Sequence, residues 1–179
     1  MKKLHFILVM FLACVLNIMP VLGQSDSKND KVVADSKTAK AEFLKKDALM
    51  KGLFESAYGY VIFPNVGKGG IGVGGAAGNG VVYEKDVMVG MAKLSQVSIG
   101  LQAGGQAYRE IIFFESKKEL DRFKNSQFEF SAQASAVAAK AGTSANAKYT
   151  NGVMVFTMQK GGLMYEASIG GQKFKFNKM

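Results

Sequence analysis

Between Gly67 and Gly80 the chain reads GKGGIGVGGAAGNG, and no other stretch limits its fold so strongly. Gly70, Gly72, Gly74, Ala76, Gly78 and Gly80 occupy even-numbered positions, so in an extended chain they share one face. A bare strand face is unfavourable unless a bend or a close backbone approach requires it. The row therefore predicts either tight packing against another element or strong sheet curvature. The same stretch satisfies G-x-G-x-x-G from Gly67 to Gly72, behind the strand-like YGYVIF. A dinucleotide site, however, needs its glycine turn to open a helix whose N-terminus holds the pyrophosphate. Here the glycines run into NGVVYEK, a strand pattern, and Lys68 is followed by Gly69 where a phosphate loop needs Ser or Thr. No nucleotide is expected. Similar small-residue rows recur at Ser98, Gly100, Gln102 and Gly104, and at Ala132, Ala134, Ala136 and Ala138. Packing and a smooth trough for an acyl chain both remain open for these faces.

Around the glycines the hydrophobic period is 2 for most of the chain. Strands are predicted at 59–63, 71–83, 87–91, 97–106, 108–114, 127–139, 152–159, 163–168 and 172–176, with hairpin turns at MQKGGLMY and IGGQ. A short helix fits 117–124, with Ser116 as cap and Glu119 completing a capping box. Ahead of the strands, residues 36–56 read as one helix capped by Ser36, with Phe43, Leu49, Met50, Leu53 and Phe54 gathered on one side and Lys37, Lys40, Lys45 and Lys51 opposite; Lys46 falls inside the apolar arc. The class expected is α+β: a mainly antiparallel sheet, strongly curved or barrel-like, with an N-terminal amphipathic helix and one further short helix.

The first residues, MKKLHFILVMFLACVLNIMPVLGQ, have the layout of a secretory signal peptide, whose apolar core is too short to span a bilayer. Two routes fit: cleavage after Gly23, or lipid attachment at Cys14 in FLAC. Either predicts export to the periplasm or cell envelope. Residues 24–35 read as a flexible leader and 36–179 as a single domain. The leader contains His5 and Cys14, the only histidine and cysteine of the chain. Nucleophilic triads and thiolate or imidazole metal sites therefore lose their parts, and no metal or cofactor is expected. Glu84, Asp86, Glu110 and Glu115 have no spacing that pairs two of them for acid–base work, so no enzyme activity is expected.

The leader also holds Lys2 and Lys3 and no acid, so 23 basic and 14 acidic residues become 21 and 14 without it, a net +7. Such a balance favours anionic partners, and an exported protein meets lipid far more often than nucleic acid. The basic helix fits either a core-packed element with solvated lysines or one resting on an anionic membrane.

YGYVIFPNVGKGGIGVGGAAGNGVVY, then SIGLQAGGQAYREIIFFESKKELDRF, then GVMVFTMQKGGLMYEASIGG together resemble the SYLF domain family of lipid-binding or actin-binding domains, over about residues 40–176. The resemblance implies a non-catalytic phospholipid-binding module. It also implies lipid contact by a basic N-terminal region, here Lys37, Lys40, Lys45, Lys46 and Lys51. Lys68 and Arg109, read near turns, are candidate additional phosphate contacts. The expected partner is an anionic phospholipid membrane, with no nucleic acid; the alternative is an envelope protein whose basic face binds another protein or an acidic polysaccharide.

Overall fold

A computed structural model of the chain describes residues 23–71, 73–99, 104–131, 135–160 and 167–179. Residues 1–22 of the predicted signal peptide, and Gly161 onward in the predicted MQKGGLMY turn, lie outside these residues. The chain divides into two units, Met1–Asp30 and Lys31–Met179. The elements in order are helices α1 (Gly23–Lys46) and α2 (Met50–Ser56), strands β1 (Gly59–Ile71), β2 (Val73–Glu84), β3 (Val87–Ile99) and β4 (Gly104–Phe114), and helix α3 (Lys117–Lys124). Strand β5 (Ser135–Ala138), a 3₁₀ turn (Thr143–Asn146) and strands β6 (Val153–Gln159), β7 (Ala167–Ser168) and β8 (Lys173–Lys178) follow. The α+β class expected from the sequence holds.

The sheet runs β7-β5-β6-β4-β1-β2-β3-β8. It is antiparallel at each described pairing except β5–β6. Strands β7 and β8 stand at opposite ends, yet only Ile169–Gln172 joins them. Five residue steps reach at most about 18 Å. Seven strand spacings in a flat sheet would separate the ends by about 34 Å. The sheet must therefore curl, one of the two alternatives the glycine row left open, but β7 and β8 do not pair and the barrel is not closed. The gap is bridged by an extended segment: Phe130 N–H donates to Gln172 O (3.3 Å), Gly171 N–H donates to Phe130 O (3.0 Å), and Glu129 bridges Lys173. The IGGQ turn exists, with Gln172 N–H on Ile169 O and Gly171 at φ +74°, but it joins two sheet ends and is no hairpin.

Curling gives the sheet two apolar faces. The inner face collects Val61, Phe63, Val82, Ile112 and Phe114 against Leu120 and Phe123 of α3 and the rings of Phe128, Phe130 and Phe174. The outer face carries Tyr60, Ile62, Ile111, Phe113, Met154 and Phe156 under Phe43, Met50 and Phe54 of the helices. Burial on both faces explains the continuous apolar runs YVIF, EIIFF and VMVF. Each fully buried Phe or Ile contributes roughly 1.5–3 kcal/mol.

Several predicted boundaries change. Residues 24–35, expected as a flexible leader, belong to helix α1. The single helix 36–56 is two helices, because Asp47 turns the chain: its carboxylate accepts the N–H groups of Leu49 (3.1 Å) and Ser144 (2.8 Å). Ser36 is not a cap; it is buried within α1, its hydroxyl 3.3 Å from that of Tyr83. Leu49, assigned to the apolar arc, is 57% exposed because the break resets the helical phase. Predicted strand 97–106 holds the end of β3 and the start of β4, and among the described residues of 127–139 the strand is β5. The α3 cap holds: Ser116 Oγ accepts Lys118 N–H (3.2 Å) and donates to Glu119.

The glycine stretch is the β1–β2 hairpin. Both pairings of β1 shift register around Pro64, a bulge at a residue with no N–H to donate. There β1 leans onto β2, and a Cβ on Gly80 would lie 2.6 Å from the Phe63 ring and 2.7 Å from Ile62 O. Nothing lies within 4 Å of a Cβ on Gly67. Gly80→Ala is expected to lower stability by about 1–3 kcal/mol through overpacking, and Gly67→Ala to leave it nearly unchanged, as read by urea denaturation.

Candidate functional site

Helices α1 and α2 and the β2–β3 turn enclose a groove of about 510 Å³. Leu44, Phe54 and Ala57 form its apolar wall; Lys40, Lys51, Lys85, Glu55 and Asp86 supply its charges. The turn is a two-residue hairpin loop between Glu84 and Val87, with Lys85 at φ 49° and Asp86 at φ 65°. Both lie in the left-handed region that a type I′ turn demands and that Asn-Gly fills more readily. Asp86 compensates by its contacts. Its carboxylate accepts from Lys40 Nζ (2.7 Å) and from the Tyr60 hydroxyl, and Lys40 Nζ donates also to Tyr60 Oη (2.8 Å). The Lys40 ammonium lies 4.7 Å from the Phe54 ring centroid and 4.9 Å from that of Tyr60. Lys40 and then Tyr60 hold the Asp86 carboxyl below its ordinary range, while burial, then Asp86, pushes the Tyr60 phenol far up.

This geometry corrects the placement of Lys40, expected to face away from the apolar arc. It lies three residues before Phe43, on the same side of α1, and is a clasp between α1, β1 and the β2–β3 turn. Lys37, Lys45, Lys46 and Lys51 are exposed; Lys46, expected inside the apolar arc, joins them because α1 ends there. Lys51 lies 3.7 Å from the equally exposed Glu55. Arg109 is no turn residue: it sits within β4, and its guanidinium donates to Glu42 of α1 at 2.8 Å. Lys68 also lies within a strand, in register with Ala76 and Gln106, two residues from inward-facing Val66. Alternation puts Lys68 and Arg109 on opposite faces, so they form no joint site. Sequence reasoning missed Lys85, whose ammonium lies over the Tyr58 ring at 5.4 Å; its signal was the two-residue gap between the runs VVYE and VMVG.

The candidate carboxylates are separated. Glu84 accepts from Tyr58 (2.9 Å) and from Lys124 of α3, and Lys124 holds its carboxyl down. Glu115 is exposed. Glu110 is fully buried on the inner face, its Oε2 accepting from Gln172 Nε2 (3.0 Å) and its Oε1 without a partner. Burial pushes its carboxyl up to about 8, so it is mostly neutral at pH 7. Among the described residues no group of acids, His or Cys is placed to hold a metal ion, and no helix is long and apolar enough to cross a membrane.

The described residues form a curled α+β domain with a basic helical face. Residues 95–178 match the Ysc84 family model, described as Las17-binding protein actin regulator. Beta cell expansion factor A of Aeromonas veronii is 29% identical over 142 residues, which cover 79% of this chain. The chain spans about half that relative's length, 54%. The resemblance to the SYLF domain family read in the sequence is thereby borne out. Such domains are associated with lipid or actin binding and are generally non-enzymatic. The family match begins within β3, so α1, α2 and the glycine hairpin lie outside it.

Two outcomes test this chemistry. Lys40→Gln leaves Asp86 in a left-handed turn without its cation, and is expected to lower the melting temperature where Lys45→Gln does not. Glu110 has a folded pKa above its unfolded value of 4.5, so the folded state holds the extra proton. Its stabilising contribution is complete below about pH 4.5 and is lost as pH rises through about 8. Urea denaturation between about pH 5 and 8 is expected to show falling stability in the parent and a flatter profile in Glu110→Gln.

Proposed function

We propose that the protein is a non-catalytic module that docks on anionic phospholipid surfaces of the cell envelope through the lysines of α1 and α2. One observation carries this reading: the acids nearest those lysines, Glu55 apart, are engaged by partners other than Lys37, Lys45 and Lys46. Asp35 accepts from Asn65 (3.0 Å), Glu42 from Arg109, Asp47 from two backbone N–H groups, and Asp86 from Lys40 and Tyr60. Lys37, Lys45 and Lys46 are exposed, and among the described residues Lys51 pairs with Glu55. Each lysine near an anionic bilayer contributes about 1 kcal/mol. The attraction fades within a Debye length of about 8 Å at physiological ionic strength. The groove beside Lys51 and Lys85 adds an apolar wall where a headgroup could settle.

The family description, which names an actin regulator, favours a second reading in which the same face binds a protein. Sedimentation with vesicles of graded phosphatidylglycerol content separates the two. The expected result is binding to anionic vesicles, none to pure phosphatidylcholine, and release as salt rises. Changing Lys37, Lys45, Lys46 and Lys51 together to Gln is expected to remove most binding without lowering the melting temperature. No binding to any vesicle overturns the lipid reading; undiminished binding by the quadruple variant places the lipid contact elsewhere.

A further inference from the structure

The curl leaves one seam, crossed by the tether Ile169–Gln172, and among the described residues the bonds that close it are few. Gly170 O accepts from Gln96 Nε2 of β3 at 2.8 Å. Phe130 exchanges backbone hydrogen bonds with Gly171 and Gln172, and Glu129 bridges Lys173. The Gln172 side chain turns inward, its Nε2 donating to Glu110 Oε2 (3.0 Å) and to the Tyr108 hydroxyl (3.2 Å). Beside the tether Phe130 and Phe174 pack edge to face at 5.7 Å, each less than a tenth exposed.

The inward cluster is short of donors. Glu110 Oε1 and Gln172 Oε1 are both buried without a partner. A protonated Glu110 brings one O–H donor to this cluster, whereas an ionised one brings none and leaves a buried charge. No cation offsets that charge among the described residues. Strands β1 and β6 place Phe63 and Thr157 in register with Glu110, and β8 brings Phe174 against Phe63. The titratable group beside it is Tyr108, two residues along β4, whose phenol burial pushes far up and keeps neutral. Arg109 points to the other face, onto Glu42, and Lys173 lies 3.6 Å from Glu129 at the surface.

We propose that the seam is a pH-sensitive gate: loss of the Glu110 proton releases Gln172 and lets the tether lift, uncovering Phe130 and Phe174 while β1 to β4 stay paired. Gly170 and Gly171 give the tether its freedom to move; a Cβ on Gly171 would meet only Val97 O, at 4.0 Å. The direction follows from linkage. Burial holds the closed-seam carboxyl at about 8, against an ordinary 4.5 once water reaches it. The closed form therefore has its full advantage below about pH 4.5 and loses it as pH rises through about 8. Between those limits the opening constant rises about tenfold per pH unit.

Global unfolding also exposes Glu110, so the extent of structure lost separates the two events. Amide hydrogen exchange of the purified protein, with the intrinsic pH dependence divided out, is followed at pH 5.5 and 7.5 in increasing sub-denaturing urea. The Phe130, Gly171 and Gln172 amides are expected to open about 100-fold more often at pH 7.5, with little urea dependence. Amides of Val61 and Val82 in the central strands should stay better protected and show the urea dependence of global unfolding. In Glu110→Gln, neutral at both pH values, the seam opening constant should not change with pH. Seam opening that is independent of pH in the parent, or that keeps its pH dependence in Glu110→Gln, overturns the proposal. So does a seam whose protection and urea dependence match those of Val61 and Val82, since it then opens only by global unfolding. If Glu110→Gln does not fold, the parent's pH and urea dependence decide by the same criteria.

Discussion

Four residues, Ile169–Gln172, join strands that stand at opposite ends of the sheet, and much of the architecture follows from that short tether. A sheet drawn round until its ends are a turn apart needs contents small enough on one side and a cover on the other. The Gly78 and Gly80 positions allow β1 to lean over β2 at the Pro64 bulge, where Cβ atoms would strike Val66, Phe63 or backbone oxygens. The phenylalanine cluster around Phe123, Phe128 and Phe174 fills what remains inside. The tether also explains the buried carboxyl. Gln172 belongs to the link itself, and its side-chain amide reaches Glu110 and Tyr108 in the middle of the inner face. A polar contact there ties the seam to the centre of the sheet; burial keeps Glu110 mostly neutral, and the Gln172 amide only partly offsets that effect.

The outer face has a different electrostatic logic. Its helices are fastened by charged side chains that point down: Lys40 to Asp86 and Tyr60, Glu42 to Arg109, Asp47 to the 3₁₀ turn. Exposed ion pairs contribute little stability on their own. These instead set orientation, because each pins a different point of α1 or the α1–α2 corner to a different element. A consequence is that negative charge is consumed in holding the helices, while Lys37, Lys45, Lys46 and Lys51 remain outside. Fold stability and a cationic surface thus arise from the same distribution of residues.

Much of this was legible in the sequence where the signal is local. Alternation marked the strands, the Ser116–Glu119 spacing marked α3 to the residue, and the chain's turn from period 3.6 to 2 marked the passage from helix to sheet. The even-numbered glycines announced a bare strand face, and with it either tight packing or curvature, because side-chain direction in an extended chain depends only on parity. Parity also explains what went astray. The bulge at Pro64 advances β1 by a residue, so inward-facing positions change from Val61 and Phe63 to Val66. No alternation rule carried across it survives.

What the sequence by itself determined is the α+β class, the apolar faces, the absence of His and Cys after residue 14, and the basic balance of the chain. These depend on composition and on neighbours within a few residues. Which lysines are free was decided only by the tertiary structure. Lys40 and Lys45 look alike on a helical projection drawn through residues 36–56. Asp47, held by a backbone N–H 97 positions away, breaks that helix, and Asp86, 46 positions away, takes Lys40 inward. The same holds for Arg109, captured by Glu42 across 67 positions, and for Glu110, met by Gln172 across 62. A residue's charge is written in the sequence, but the partner that neutralises or buries it is supplied by chain closure over long separations, which local pattern does not encode.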